Sequence, residues 1–215
     1  MKKNTTFKKH EVEDYERKRY RGIDQKIVHA REQKILEKIL RTAGKDAIRV
    51  LDLPCGYGRF SSLMLKKGFS LVSSDLSFYM VKRAEEHSRL YNLASVSGVV
   101  ADAKHGLPFK QEVFNIILSM RFFHHLHEKK NRKFILKEFF YVSSKYVILS
   151  YYQMNFLHIL QRKFRKKLKK SKTQIKMISR KEFQEEVEDA GFSIIKIFPL
   201  FRGIHSHHIA FLEKG

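Results

Sequence analysis

The chain has 215 residues, room for one domain with embellishments and not for two of ordinary size. Its 43% hydrophobic and 13% aromatic residues, with only 3 Pro and 10 Gly, exclude a disordered or fibrous chain. The 44 Lys+Arg against 22 Asp+Glu leave a formal charge of +22, which favours anionic partners such as RNA, DNA, anionic lipid or a phosphorylated glycan without choosing among them.

The N-terminal stretch Met1 to Thr6 runs into charge instead of an apolar segment, and no run reaches the ~18 apolar residues of a membrane span. Secretion and integral insertion are disfavoured; a cytoplasmic protein is expected, peripheral at most to a membrane surface. Residues 10–42 read as one helix, with Ile27, Ala30, Ile35, Ile39 and Leu40 at three- and four-residue steps and Gly44 as a stop. Its first half holds an aromatic and basic cluster: Tyr15, Arg17, Arg19, Tyr20 and Arg21. The period then changes. Short apolar runs at 48–53, 69–75, 97–101, 113–120 and 146–151 read as strands, separated by helical stretches at 60–67, 77–90 (Ser77 as a candidate N-cap) and 128–142. Alternation of this length implies crossover connections and a parallel sheet. Residues 154–176 are dense in Lys and Arg. Ser179-Arg180-Lys181-Glu182 then has capping-box spacing for a helix to about Ala190, stopped by Gly191. Two β runs, 192–201 and 207–212, close the chain as a hairpin.

The string carrying chemistry is Val50-Leu51-Asp52-Leu53-Pro54-Cys55-Gly56-Tyr57-Gly58-Arg59-Phe60: an acid ending the first strand, then a glycine turn into a helix. Glycines there let a ligand approach the backbone, and the helix start offers N–H groups. A dinucleotide site would place pyrophosphate at that start, with Asp75 at ribose distance along the chain. Asp52 argues against it, because a carboxylate beside the turn would repel pyrophosphate and suit an ammonium or sulfonium. Cys55, the one cysteine, can form no internal disulfide and belongs to no metal-ligand spacing, so a reducing compartment is the default.

From residue 48 to 215 the chain resembles the class I S-adenosylmethionine-dependent methyltransferases. The resemblance implies a Rossmann-like α/β fold: a seven-stranded, mostly parallel sheet with a reversed C-terminal strand, an N-terminal helical arm and a basic helical insertion. It implies one domain, 1–215, with the arm at 1–44, a cofactor-binding half at 45–153, the insertion as a lid at 154–178 and the closing helix and hairpin at 179–215. It further implies S-adenosylmethionine as cofactor, with Asp52, Pro54, Gly56 and Gly58 at its methionine end, Asp75 and Leu76 at the ribose, Met80 on the adenine ring, and Asp102 and Ala103 reading the adenine amino group. Met120 would lie beside the transferable methyl. Pro54 stands where the family usually has its first glycine; it loses an N–H but keeps the carbonyl that would meet the cofactor ammonium.

The segment Ser119-Met120-Arg121-Phe122 lacks the Asn/Asp-Pro-Pro-aromatic run associated in that family with exocyclic base amines, and Cys55 sits in the cofactor turn instead of at a nucleophile position, which disfavours cytosine C5 chemistry. The remaining acceptors are oxygen, nitrogen or carbon of a molecule near His124 and His125. These are candidate proton acceptors with a competing structural role. Tyr20, Arg21, Arg121 and His205 are candidate substrate contacts. Two histidine clusters (His124, His125, His127 and His205, His207, His208) are expected on one sheet edge; without spaced carboxylates no metal is expected. Met154, Leu157, Leu160, Phe164 and Leu168 form a helical stripe beside a basic face. Such a helix could dock on the domain, rest on an anionic membrane or grip RNA. The expected function is methyl transfer to a small or lipid-linked, anionic metabolite. RNA modification is the alternative, and a non-catalytic nucleic-acid- or membrane-binding protein on this fold is the third reading.

Overall fold

Parallel pairing organises the molecule. In the computed structural model, which describes residues 7–19, 22–43, 49–89, 96–154, 175–202 and 205–215, seven strands form one sheet. They are β1 (Arg49–Asp52), β2 (Ser70–Asp75), β3 (Val96–Val100), β4 (Phe114–Ser119), β5 (Ser143–Tyr152), β6 (Phe192–Pro199) and β7 (His207–Lys214), in the order β3-β2-β1-β4-β5-β7-β6. The first five pair in parallel; β7 runs antiparallel to β5 and β6, so β6 points along the others. The seven-stranded sheet with its reversed last strand is the one expected from the sequence.

Both faces are covered, as a parallel sheet requires. On β4, Ile117 joins one core layer with Ile135, Leu136 and Phe139 of α5 (Lys129–Val142) and Phe183 of α6 (Arg180–Glu188). Its neighbours Ile116 and Leu118 point the other way, to Ile35, Leu36 and Ile39 of α2 (Ile23–Thr42) and Leu63 and Met64 of α3 (Ser61–Lys66). This is the period-2 alternation of a strand read out in two cores. A further helix, α4 (Phe78–Arg89), covers β2 and β3.

The N-terminal region departs from the single helix expected over 10–42. It forms α1 (Lys9–Arg19) and α2, with Gly22 extended at φ −80, ψ 142 as the cap of α2. The two helices bury different partners: Val12 packs with Tyr57 and Met80, while Ile35 to Leu40 pack on the sheet. A glycine, costly by ~1 kcal/mol in a helix interior, supplies the break. Glu16 holds α1 to α4 through Arg83 and His87, each at 2.9 Å.

Residues 155–174, with most of the basic stripe, lie outside the described residues. Their flanks meet at the end of β5: Gln153 bridges to Ile178, and the Met154 N–H donates to the Ile178 carbonyl at 2.8 Å. Among the described residues no helix is long and apolar enough to cross a membrane.

Ser179 caps α6, its hydroxyl accepting from the Glu182 N–H at 3.0 Å. The Glu182 carboxylate does not return to the cap as a reciprocal capping box would; it accepts from Arg132 at 2.6 Å. Arg132, only 1% exposed, also donates to both Glu186 oxygens at 2.8 and 2.6 Å and to the carbonyls of Leu126 and His127 at 3.2 Å. One guanidinium thus ties α5, α6 and the turn carrying His124 and His125. Arg132→Ala would leave Glu186 charged and buried, so it should lower stability by about 3–5 kcal/mol in urea denaturation. A loss under about 1 kcal/mol would show that the cluster holds nothing together.

Candidate functional site

The turn after β1 is built by three contacts to β2 and α4. The Cys55 N–H donates to the Ser74 carbonyl at 2.8 Å, and the Gly56 N–H donates to Asp75 Oδ2 at 3.1 Å. Asp75 Oδ1 accepts from the Ser77 N–H at 3.0 Å, so this carboxylate fastens the turn to the start of α4. Ser77 precedes α4 as expected, but its hydroxyl donates to the Phe7 carbonyl at 3.1 Å and so holds the N-terminal segment near the site. Gly58 has φ +83, and a Cβ there would lie 2.9 Å from the Ala84 Cα; glycine permits both the conformation and the helix contact.

A cavity of about 630 Å³ opens where β1, β2 and β4 end. Pro54, Gly56, Asp75 and Met80 line one side; Met120, Arg121, His124, His125, Tyr152, His205 and His207 line the other. Phe7 and Tyr15 of the N-terminal arm line it as well. Of the candidate catalytic, cofactor and substrate residues read from the sequence, nine therefore share one cavity: Pro54, Gly56, Asp75, Met80, Met120, Arg121, His124, His125 and His205. Asp52 and Gly58 are buried beside the turn. Leu76 is exposed and, with Asp102 and Ala103, stands outside the cavity lining. Asp102 is engaged locally: Oδ1 accepts from the Lys104 N–H and Oδ2 pairs with His105 Nδ1, both at 3.0 Å, capping the 3-10 turn Ala103–His105. Tyr20 and Arg21 lie outside the described residues.

The acids and bases are tuned by burial. Asp52 is fully buried, with Oδ2 lacking a hydrogen-bond partner among the described residues. Burial pushes its carboxyl up to about 8, with Asp75 adding to the rise and Arg59 opposing it. Burial also raises Asp75, against the N–H bonds from Ser77 and Gly56. The Cys55 thiol is raised by burial and by both carboxyls, which disfavours it as a thiolate nucleophile. His207 is driven well below 6.5 by burial and then by Arg121 and its neighbours, and His29 is lowered by burial and Arg59. The His124 and His125 rings lie 4.0 Å apart, and Tyr152 stacks on His207 at 4.9 Å and 6°. His127 and His208 are outside the cavity lining, and among the described residues no three His, Cys, Asp or Glu side chains group as metal ligands.

One central residue escaped the sequence reading. Glu32 of α2, fully buried, accepts from Arg121 Nε at 3.0 Å and forms ion pairs with Arg121 Nη2 at 3.0 Å and Arg59 Nη2 at 2.8 Å, with His207 Nδ1 at 3.6 Å. It lies on the same helical stripe as Ile35, Leu36 and Ile39. An acid on an apolar stripe is the signal that could have found it. Arg121 sits at φ +60, a left-handed conformation uncommon outside glycine, with its N–H donating to Ser150 Oγ at 2.6 Å.

A family model for a methyltransferase domain matches residues 50–145. Magnesium protoporphyrin IX methyltransferase from Synechocystis PCC 6803, solved with bound SAH, superposes with a TM-score of 0.77 at 16% identity over 94% of each chain. A SAM-dependent methyltransferase from Methanosarcina mazei gives 0.68 at 21% identity over 82% of this chain and 96% of its own, and one from Aquifex aeolicus gives 0.67 at 16% over 98% and 100%. A sequence comparison with curated proteins finds no match. Residues 50–145 thus match a methyltransferase domain, and the strand order is the Rossmann-like fold that the chain shares with these S-adenosylmethionine-dependent methyltransferases.

Proposed function

We propose that the chain transfers a methyl group to a small or lipid-linked, anionic acceptor held beside His124 and His125. The observation that carries this is the sharing of one cavity by the Gly56–Asp75 turn and the histidine end. The residues present fit the cofactor. Asp75 accepts backbone N–H bonds from Gly56 at Oδ2 and from Ser77 at Oδ1, and a carboxylate has about four acceptor sites, enough to leave room for a ribose hydroxyl. The orphaned Asp52 oxygen suits an ammonium, and buried Met80 offers an apolar contact for a base. When bound, the cofactor supplies an electrophilic methyl carbon on a sulfonium. What remains for the protein is alignment, exclusion of water and, for a hydroxyl acceptor, proton removal. His124 and His125 stand at the acceptor end for that removal, with Met120 and Tyr152 forming the wall around them.

RNA modification is kept as a second reading by a basic groove between α2 and β6, lined by Arg31, Lys34, Lys38, Lys196 and Arg202 without an acid. SAM-dependent methyl incorporation into RNA, with binding that falls steeply with salt, would establish it over the small-acceptor reading.

SAH at about a hundredfold over its Kd should stabilise the protein by about 2.7 kcal/mol, a melting shift of roughly 5–10 °C, and NAD should give none. Asp75→Asn should weaken SAH by about 1.5–3 kcal/mol in calorimetry, since a charged acceptor is lost. Wild-type SAH affinity in that variant would remove Asp75 from the ribose. Asp52 yields a pH test. Its folded value, about 8, lies above the unfolded carboxyl value near 4, so the folded state holds the extra proton and stability falls as pH rises between the two. Asp52→Asn should flatten that fall, gaining at least about 1 kcal/mol at pH 8 relative to pH 4 in urea titrations without ligand. Parallel pH profiles for the two proteins would show that Asp52 ionises freely.

A further inference from the structure

The cavity is electrically polarised. The carboxyls Asp52 and Asp75 stand at the turn, and the guanidinia of Arg59 and Arg121 converge on Glu32 toward the histidine end. Both arginines line the cavity while their side chains are only 11% and 15% exposed. The shared carboxylate is itself inaccessible, and it grips Arg121 through Nε and Nη2 together, which fixes the plane of that fork. The backbone contributes as well: Arg121 is held in a left-handed conformation by the Ser150 hydroxyl, between Met120 and the His124 turn. Guanidinium is the side-chain cation that survives such burial, and its planar fork matches an oxyanion in two-point contact.

Resting on the methyl-transfer reading above, we infer that Arg121, with Arg59 and oriented by Glu32, forms an oxyanion site in the acceptor half of the cavity, so that the acceptor carries a carboxylate or phosphate beside its methylated atom. Arg121 is the specificity-determining residue of this site and Glu32 a positioning residue. Arg59 is shared with the cofactor turn, because it follows Gly58 and also faces Asp52. The charge layout supports the assignment. An anion at the turn would meet the Asp75 carboxyl, whereas an anion at the histidine end meets the guanidinia of Arg121 and Arg59, which share the single carboxylate of Glu32, and the imidazole of His207.

The test measures binding of inorganic phosphate and of acetate to the SAH-saturated protein by thermal shift, with sodium chloride holding ionic strength constant. Wild type should be stabilised by at least one of the two. Arg121→Gln should weaken that anion's apparent Kd by about tenfold or more while SAH affinity stays within about threefold, and Arg121→Lys should fall between them. A short-chain phosphatidic acid binding more tightly than inorganic phosphate would place the oxyanion on a lipid; equal binding would place it on a small metabolite. Anion stabilisation equal in wild type and Arg121→Gln, or absent in wild type, overturns the site. A tenfold loss of SAH affinity in Arg121→Gln also overturns it, assigning the residue to the cofactor's own carboxylate. Should Arg121→Gln fail to fold, Arg121→Lys decides, since it keeps the charge and loses the fork. Wild type that binds phosphate but not SAH would refute the methyl-transfer reading and leave the anion site standing.

Discussion

Everything at the site depends on the register of β1 between its two parallel neighbours. Asp52 lies opposite Ser73 on one side and Leu118 on the other, so three strands finish within a few residues of one another. Their side chains before that point are committed to one apolar layer or the other, as Ile116, Ile117 and Leu118 show. Polar chemistry is therefore expelled to the carboxyl edge, where the next residues are Asp75, the turn from Pro54 and the segment from Met120. In an open parallel sheet this is where ligands are met, because only there does the backbone leave the ladder with groups to spare.

The reversed strand completes the edge from the other direction. Because β7 runs against β5, its first residues lie beside the last residues of β5, and Tyr152 pairs directly with His207. Cross-strand neighbours face the same way, and the two rings stack. A parallel seventh strand would have placed His205 and His207 at the opposite end of the sheet. The hairpin is thus the means by which the last tenth of the chain reaches a cavity begun near residue 54. The N-terminal helices enclose it from the third side, through Glu32 below and Phe7 and Tyr15 in its lining.

Much of this was legible because local rules and global fold agree. Strand periods, the glycine turn, Asp75 and the Ser179 cap follow from side-chain alternation and capping chemistry, which act over a few residues. The misreadings share a different cause. A continuous helix over 10–42 fits local periodicity, and only the separate docking of Val12 and of Ile35 to Leu40 explains the break at Gly22. Tertiary and local contacts beyond any motif also engage Asp102, which accepts from the Lys104 N–H and pairs with His105. Glu32 was hidden for the same reason: its partners Arg59, Arg121 and His207 are 27, 89 and 175 residues away, and no local pattern announces them.

The two arginines also change how the charge of +22 should be understood. Surface lysines act through water and salt, and at physiological ionic strength their field decays over about 8 Å. They can enrich anions near the protein but cannot distinguish one small anion from another. Inside the cavity the same burial that neutralises His207 and holds a proton on Asp52 near neutral pH leaves guanidinium charged, because its unperturbed pKa lies so far above seven. Desolvation therefore acts as a filter on charge, and guanidinium is the side-chain cation that tolerates it. On the oxyanion-site proposal, discrimination among acceptors rests on Arg121 and the carboxylate that orients it, while the basic surface sets how often an anion arrives.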